Sequence, residues 1–153
     1  LLPGRPRLAV SRTMSKAFAF AGARVGYLAA DPAVIDALRL VRLPYHLSAL
    51  TQAAALAALD HSSEMLGMVD EIVVQRDRIS ATLTELGYTP LPSWSNFVLF
   101  GGIADPASLW QQLYDRGILI RDVGIAGHLR VTAGTAGETT AFLEALASID
   151  SNA

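Results

Sequence analysis

Lys16 is the single lysine among the 12 basic residues of this 153-residue chain; every other one is arginine. Where only positive charge is needed, arginine serves. Its guanidinium stays protonated, however, whereas a lysine amine can lose its proton and attack a carbonyl when its surroundings lower its pKa. Lys16 is therefore a candidate for covalent chemistry, set against the plainer reading of an ordinary surface lysine. Thr13, Ser15 and Arg24 bracket it on the stretch 11–24, which is rich in alanine and carries Gly22. Two hydroxyls that donate hydrogen bonds and a guanidinium that offers a bidentate pair suit a phosphate group. Each such charge-assisted bond contributes about 1.5–3 kcal/mol. A phosphate site beside a nucleophilic lysine points to pyridoxal 5'-phosphate, an aldehyde that lysine holds as a Schiff base. The plainer alternative is a loop with a capping serine and a surface arginine.

These residues must be positioned by the elements around them. Leu8–Val10 reads as a buried strand, Thr13–Ala23 as a loop whose small side chains permit close approach, and Arg24–Ala30 as a second strand. Asp31 and Pro32 start a helix with Val34, Ile35, Leu38 and Val41 on one apolar face, ending before Pro44. Ser48 caps an alanine-rich helix to about Leu59. Ser63 is expected to cap a longer one carrying Leu66, Val69, Ile72, Val73, Ile79, Leu83 and Leu86, stopped by Gly87. At 1.5 Å per residue that helix spans ~35 Å, enough to link two domains. Beyond it the elements shorten. Tyr88–Leu91, Asn96–Phe100, Ile118–Val123 and Leu129–Ala133 read as strands. Asp105 and Pro106 open a helix with Leu109, Trp110, Leu113 and Tyr114 on its buried side, ended by Gly117. Thr135 and Glu138 make a capping box for a last helix with core residues Phe142, Leu146 and Ile149. The expectation is an α/β chain in three parts: residues 1–45 as the end of a large domain, 46–86 as interdomain helices, and 87–153 as a small α+β domain.

Composition narrows the function classes. A net charge of -2 with no basic run lacks the footprint of a nucleic-acid binder. Apolar stretches fall short of the ~18 residues of a membrane-spanning helix. The absence of cysteine excludes disulfides and thiol chemistry and fits a cytoplasmic location. His61 and His128 fall in expected turns without companions at metal-ligand spacing, so no metal is assigned. Trp94 and Trp110 read as packing residues.

Thr13-Met-Ser-Lys-Ala-Phe-Ala-Phe-Ala-Gly22 resembles the pyridoxal-phosphate attachment signature of the class-II aminotransferases. The resemblance continues through Arg24-Val-Gly-Tyr27, Pro44-Tyr-His-Leu-Ser48, Ser95-Asn-Phe97, Ile118-Leu-Ile-Arg-Asp122 and Leu129-Arg-Val-Thr132. In order and spacing these segments are similar to the second half of the histidinol-phosphate aminotransferase family, and they cover nearly the whole chain. The resemblance implies the fold type I architecture of pyridoxal-phosphate-dependent transferases and a likeness to enzymes that act as homodimers. It also implies roles. Lys16 would carry the cofactor and shuttle the proton between the substrate α-carbon and the cofactor. Thr13, Ser15 and Arg24 would hold the cofactor phosphate. Arg130 would pair with the carboxylate of the glutamate co-substrate, Arg121 with the phosphate of a phosphorylated substrate, and Asn96 would contact substrate. An outward-facing strand arginine is the plainer reading of Arg121 and Arg130, and a turn residue that of Asn96.

Two alternatives keep the cofactor and change the substrate: an aromatic amino acid aminotransferase and a phosphothreonine-type decarboxylase. A third is a regulator that retains an aminotransferase-like domain as a ligand sensor. The family also uses an aspartate, a tyrosine and an asparagine that lie further upstream of the lysine than the fifteen residues before Lys16. The chain is accordingly expected to be the C-terminal part of a longer enzyme and inactive alone.

Overall fold

The computed structural model describes residues 2–151. They form two units, one reaching to Met68 and the other starting at Val69.

In the first unit, β1 (Val10–Thr13) and β2 (Gly26–Ala29) pair antiparallel, with Val10 opposite Ala29 and Thr13 opposite Gly26. The expected strands at 8–10 and 24–30 are thus displaced: Thr13 belongs to a strand rather than to the loop, and β2 begins only at Gly26. The pairing explains the glycine. A Cβ at position 26 would stand 2.5 Å from the Arg12 carbonyl oxygen, so any side chain there would push the strands apart. Helix α1 (Pro32–Val41) starts where Asp31 accepts a hydrogen bond from the Ala33 amide at 3.0 Å, with proline in the first turn. Its expected apolar face is not buried. No α1 residue is buried, and Val41 is 77% exposed. Helix α2 (Ala49–Asp60) is capped by Ser48, whose Oγ accepts from the Thr51 amide at 3.0 Å. Ala55 and Ala58, one turn apart on α2, pack with Met14 and Val25 in a small core bordered by Phe18, Phe20, Ala23 and Leu47. The helix therefore supports the segment between β1 and β2 from beneath.

Helix α3 (Ser62–Glu85) runs through the division between the units. Ser63 is a helical residue, not the cap: α3 already begins at Ser62, and the Met65 amide donates to the His61 carbonyl at 3.1 Å. Its other end follows the sequence. Gly87 adopts φ +87°, its amide donates to the Thr84 carbonyl, and the Tyr88 amide reaches back to Leu83 at 2.9 Å. This is the paired glycine stop that satisfies orphan carbonyls at a helix end.

The second unit holds a three-stranded antiparallel sheet in the order β3 (Thr89–Pro90), β4 (Phe97–Gly101), β5 (Leu129–Thr132). One sheet face carries Val98, Phe100, Leu129 and Val131, all at most 4% exposed. They pack with Ile79 and Leu83 of α3, with Leu109 and Leu113 of α4 (Pro106–Tyr114), and with Phe142 and Leu146 of α5 (Ala136–Asp150). Burying a side chain of this kind contributes about 1.5–3 kcal/mol. The expected strand at 118–123 does not form. Its only ladder contact is a single bridge between Arg121 and Arg130. The cause lies in α4: the Ile118 amide is held by the Leu113 carbonyl at 2.9 Å, and the Trp110 indole N–H holds the Ile120 carbonyl at 2.9 Å. Those bonds hold the segment toward the end of α4 until Arg121.

Candidate active site

Lys16 sits at the surface of a tightly folded segment, residues 14–25, closed at its neck by β1 and β2. The Met14 amide donates to the Val25 carbonyl at 3.1 Å and the Phe20 amide to the Met14 carbonyl at 3.1 Å. Inside, the Ala19 amide donates to the Lys16 carbonyl at 3.0 Å. Met14 is buried while Lys16, two residues on, is exposed. The buried thioether anchors the turn and leaves the amine free to meet a ligand.

Two strained residues occur in this same segment. Ala19 has φ 54° and Arg24 φ 52°, and among the described residues they are the only non-glycine residues in the left-handed region. Each costs on the order of 1–3 kcal/mol, and such outliers concentrate where a loop must present groups to a ligand. Composition gave no sign of them, because neither alanine nor arginine favours this conformation.

The flanking hydroxyls are coupled. Thr13 Oγ1 donates to Ser15 Oγ at 2.7 Å and accepts from the Ser15 amide at 3.1 Å. The hydrogen on Ser15 Oγ is thereby left for another acceptor. Arg24 is exposed and steadied by a bond from one guanidinium nitrogen to the Ala21 carbonyl at 3.0 Å, which leaves its other donors free. Two hydroxyls, a guanidinium and a primary amine on one turn form a donor set that fits a phosphate ester carrying an aldehyde.

The other three candidates lie in the second unit. Arg121 and Arg130 are bridged through their backbones, each amide donating to the other's carbonyl at 2.9 Å. The Arg130 guanidinium lies over the Phe97 ring, 4.7 Å from its centroid, and its Nε is buried without a partner. A cation over an aromatic face gains about 0.5–2 kcal/mol and holds a fixed direction. Among the described residues, the ion pairs involve Asp36, Glu64 and Asp77, and none of them neutralises Arg121 or Arg130. Asn96 is half-buried just before β4. Its carbonyl accepts from the Ala133 amide at 2.9 Å, and its side-chain Oδ1 has a long contact of 3.4 Å with the Ser95 hydroxyl. Phe97 was missed as a site residue. Only the β4–β5 register, with Leu99 opposite Arg130 and Phe97 opposite Thr132, places its ring diagonally under the guanidinium.

Comparison with known proteins places the chain in a family. The family described as Aminotransferase class I and II matches residues 1–146. The chain belongs to this family. Among curated relatives of this aminotransferase chain, a histidinol-phosphate aminotransferase of Paenarthrobacter aurescens is 66% identical over 149 residues, covering 97% of this chain and 40% of the relative. One from Mycolicibacterium smegmatis is 64% identical over 143 residues, covering 94% and 38%. The solved structure of histidinol-phosphate aminotransferase from Sinorhizobium meliloti in complex with pyridoxal-5'-phosphate matches 99% of this chain and 43% of that one, at 31% identity and a TM-score of 0.79. The chain thus spans about two fifths of the length of these relatives. Its mixed α/β architecture is that of fold type I aminotransferases. Among the described residues no helix is long and apolar enough to cross a membrane.

Proposed function

We propose that the full-length protein carrying this aminotransferase sequence is a pyridoxal-phosphate-dependent histidinol-phosphate aminotransferase. It moves an amino group between glutamate and imidazole acetol phosphate, giving 2-oxoglutarate and histidinol phosphate. The observation that carries the reading is the backbone pairing of Arg121 with Arg130, neither of which is in an ion pair among the described residues. An enzyme whose substrates bring a carboxylate in one half-reaction and a phosphate in the other needs this arrangement. The names of relatives 64–66% identical to this chain support the same substrate.

Bound cofactor supplies an electrophilic aldehyde and a ring that withdraws electrons from the substrate α-carbon. The chain's own residues do the rest. Ser15 and Arg24 would hold the cofactor phosphate, the hydroxyl of Thr13 orienting that of Ser15 and Arg24 supplying the balancing charge. Lys16 Nζ holds the cofactor at rest. When free of the cofactor, Nζ would carry the proton to and from the substrate α-carbon, a role that positioned bases fulfil with about 10²–10⁴-fold acceleration. Arg130, aimed by Phe97, grips the glutamate carboxylate. Arg121 would grip the substrate phosphate, and Asn96, whose carbonyl pairs with the Ala133 amide just past β5, would contact substrate. Residues 1–45, 46–86 and 87–153 serve as the end of the large domain, the interdomain helices and the small domain of a homodimeric enzyme.

The test is chemical. Full-length enzyme reduced with borohydride should retain the cofactor covalently on the peptide containing Lys16, and Lys16→Arg should retain none. A label on another residue would refute the assignment of Lys16. Turnover of phenylalanine in preference to histidinol phosphate would refute the substrate.

A further inference from the structure

Strand β4 extends past its β3 neighbour, which pairs only with Phe100 and Gly101. One further backbone bond follows on that side, from the Leu91 amide to the Leu99 carbonyl at 2.8 Å. In an antiparallel ladder such bonds recur at every second residue, so the next would run from the amide of residue 93 to the Phe97 carbonyl. A side chain takes its place. The half-buried Ser93 donates from Oγ to the Phe97 carbonyl at 2.6 Å and accepts from the Ser95 amide at 3.2 Å. One hydroxyl thus closes the turn and carries the ladder to the first residue of β4.

What Phe97 carries gives this bond its reach. On the β5 side the Ala133 amide takes the Asn96 carbonyl at 2.9 Å, so by alternation the Phe97 carbonyl turns to the β3 side, where Ser93 meets it. The Phe97 ring lies under the Arg130 guanidinium, 4.7 Å from its carbon. Arg130 Nε is buried without a partner, and among the described residues no ion pair holds the group. The direction of the guanidinium therefore depends on the ring, and the direction of the ring on the backbone that Ser93 fixes.

We propose that Ser93 is a positioning residue for carboxylate recognition by Arg130. Its hydroxyl holds Phe97 in ladder geometry, and Phe97 in turn aims the guanidinium. The inference rests on the reading of Arg130 as the group that grips the glutamate carboxylate. The plainer role, a serine that only closes a turn, would lower stability and disturb both half-reactions alike.

Half-reaction kinetics of the full-length holoenzyme tests it. Ser93→Ala should raise KM for glutamate roughly three- to tenfold, the effect of losing one hydrogen bond, with kcat nearly kept and KM for the phosphorylated substrate unchanged. Ser93→Thr, which keeps the hydroxyl, should restore the parent value. Phe97→Leu, which removes the ring and leaves the clamp, should show the same selective rise. Added to Phe97→Leu or Arg130→Gln, Ser93→Ala should change KM for glutamate by less than about twofold, because the three residues act as one unit. Equal losses in both half-reactions, a parent-like KM for glutamate in Ser93→Ala or Phe97→Leu, or full additivity with Arg130→Gln would overturn the proposal. A parent enzyme inactive with glutamate refutes the proposed function instead. The role of Ser93 is then decided by a crystal structure of the Ser93→Ala holoenzyme: a guanidinium displaced from the Phe97 ring supports it, and one still centred over the ring refutes it.

Discussion

Arg121 and Arg130 face each other across two antiparallel segments, each amide bonded to the other's carbonyl at 2.9 Å. Opposed residues of such a pair direct their side chains to the same face, where like charges destabilise each other. Under the proposed function, a substrate anion would relieve that repulsion. In the full-length enzyme, Arg130→Gln should raise KM for glutamate roughly ten- to a hundredfold, the loss of one charge-assisted pair. Arg121→Gln should act equally strongly on the phosphorylated substrate and weakly on glutamate. Half-reaction kinetics separates the two, and equal effects of both variants on both substrates would refute the division of labour.

The Thr13–Ser15 hydroxyl pair, 2.7 Å apart, predicts an asymmetry. Ser15→Ala removes the hydroxyl that accepts from Thr13 and keeps its own hydrogen for another acceptor, and should weaken cofactor binding roughly tenfold or more. Thr13→Ser keeps the orienting oxygen and should bind nearly as well as the parent. Cofactor titration followed by absorbance measures both.

Gly26→Ala should destabilise the lysine-bearing turn. The new Cβ would lie 2.5 Å from the Arg12 carbonyl oxygen and 3.2 Å from Thr13 Cα, both backbone atoms that cannot rotate away. A cost of about 1–3 kcal/mol is expected, read as a lower Tm together with weaker cofactor retention, because Thr13 is the strand residue opposite Gly26.

Acid should loosen α5. The Thr135 amide and hydroxyl both donate to the Glu138 carboxylate, at 2.7 and 2.9 Å, and these bonds lower its pKa from the usual 4.5. A carboxylate with a lowered folded pKa contributes stability that is fully present above its unfolded value. That stability is lost as pH falls through the folded value. Glu138→Gln, which keeps an acceptor but does not titrate there, should flatten the fall of Tm below about pH 4.5.

Alkali should act through Tyr88. Burial, the hydrogen bond its hydroxyl donates to Asp150 at 2.8 Å and that carboxylate's charge all push the phenol above its usual 10.0. With its folded pKa raised, the group contributes stability that is present below the unfolded value and lost as pH rises through the folded one. Tyr88→Phe should lower Tm at neutral pH and remove this alkaline component; a Tm identical to the parent at pH 7 would show that the bond adds nothing.

The sequence by itself determined what depends on neighbours along the chain. Asp31 with Pro32, Ser48, Asp105 with Pro106, and Thr135 with Glu138 start their helices as read, and Gly87 and Gly117 end theirs, because capping is decided within four or five residues. The core residues Phe142, Leu146 and Ile149 were legible from helical spacing for the same reason. The motif around Lys16 was legible as a string of residue types.

Tertiary structure decided the rest, where partners are distant in sequence. The apolar run at 118–123 reads as a strand, but bonds from α4 to Ile118 and Ile120 leave only Arg121 in the ladder. The left-handed backbone at Ala19 and Arg24 is imposed by the closure between Met14 and Val25 against the propensity of both residues. The ring of Phe97 reaches Arg130 only through the β4–β5 register. Register, closure and the direction of a side chain are set by groups brought together from far along the chain. No local window of sequence contains them.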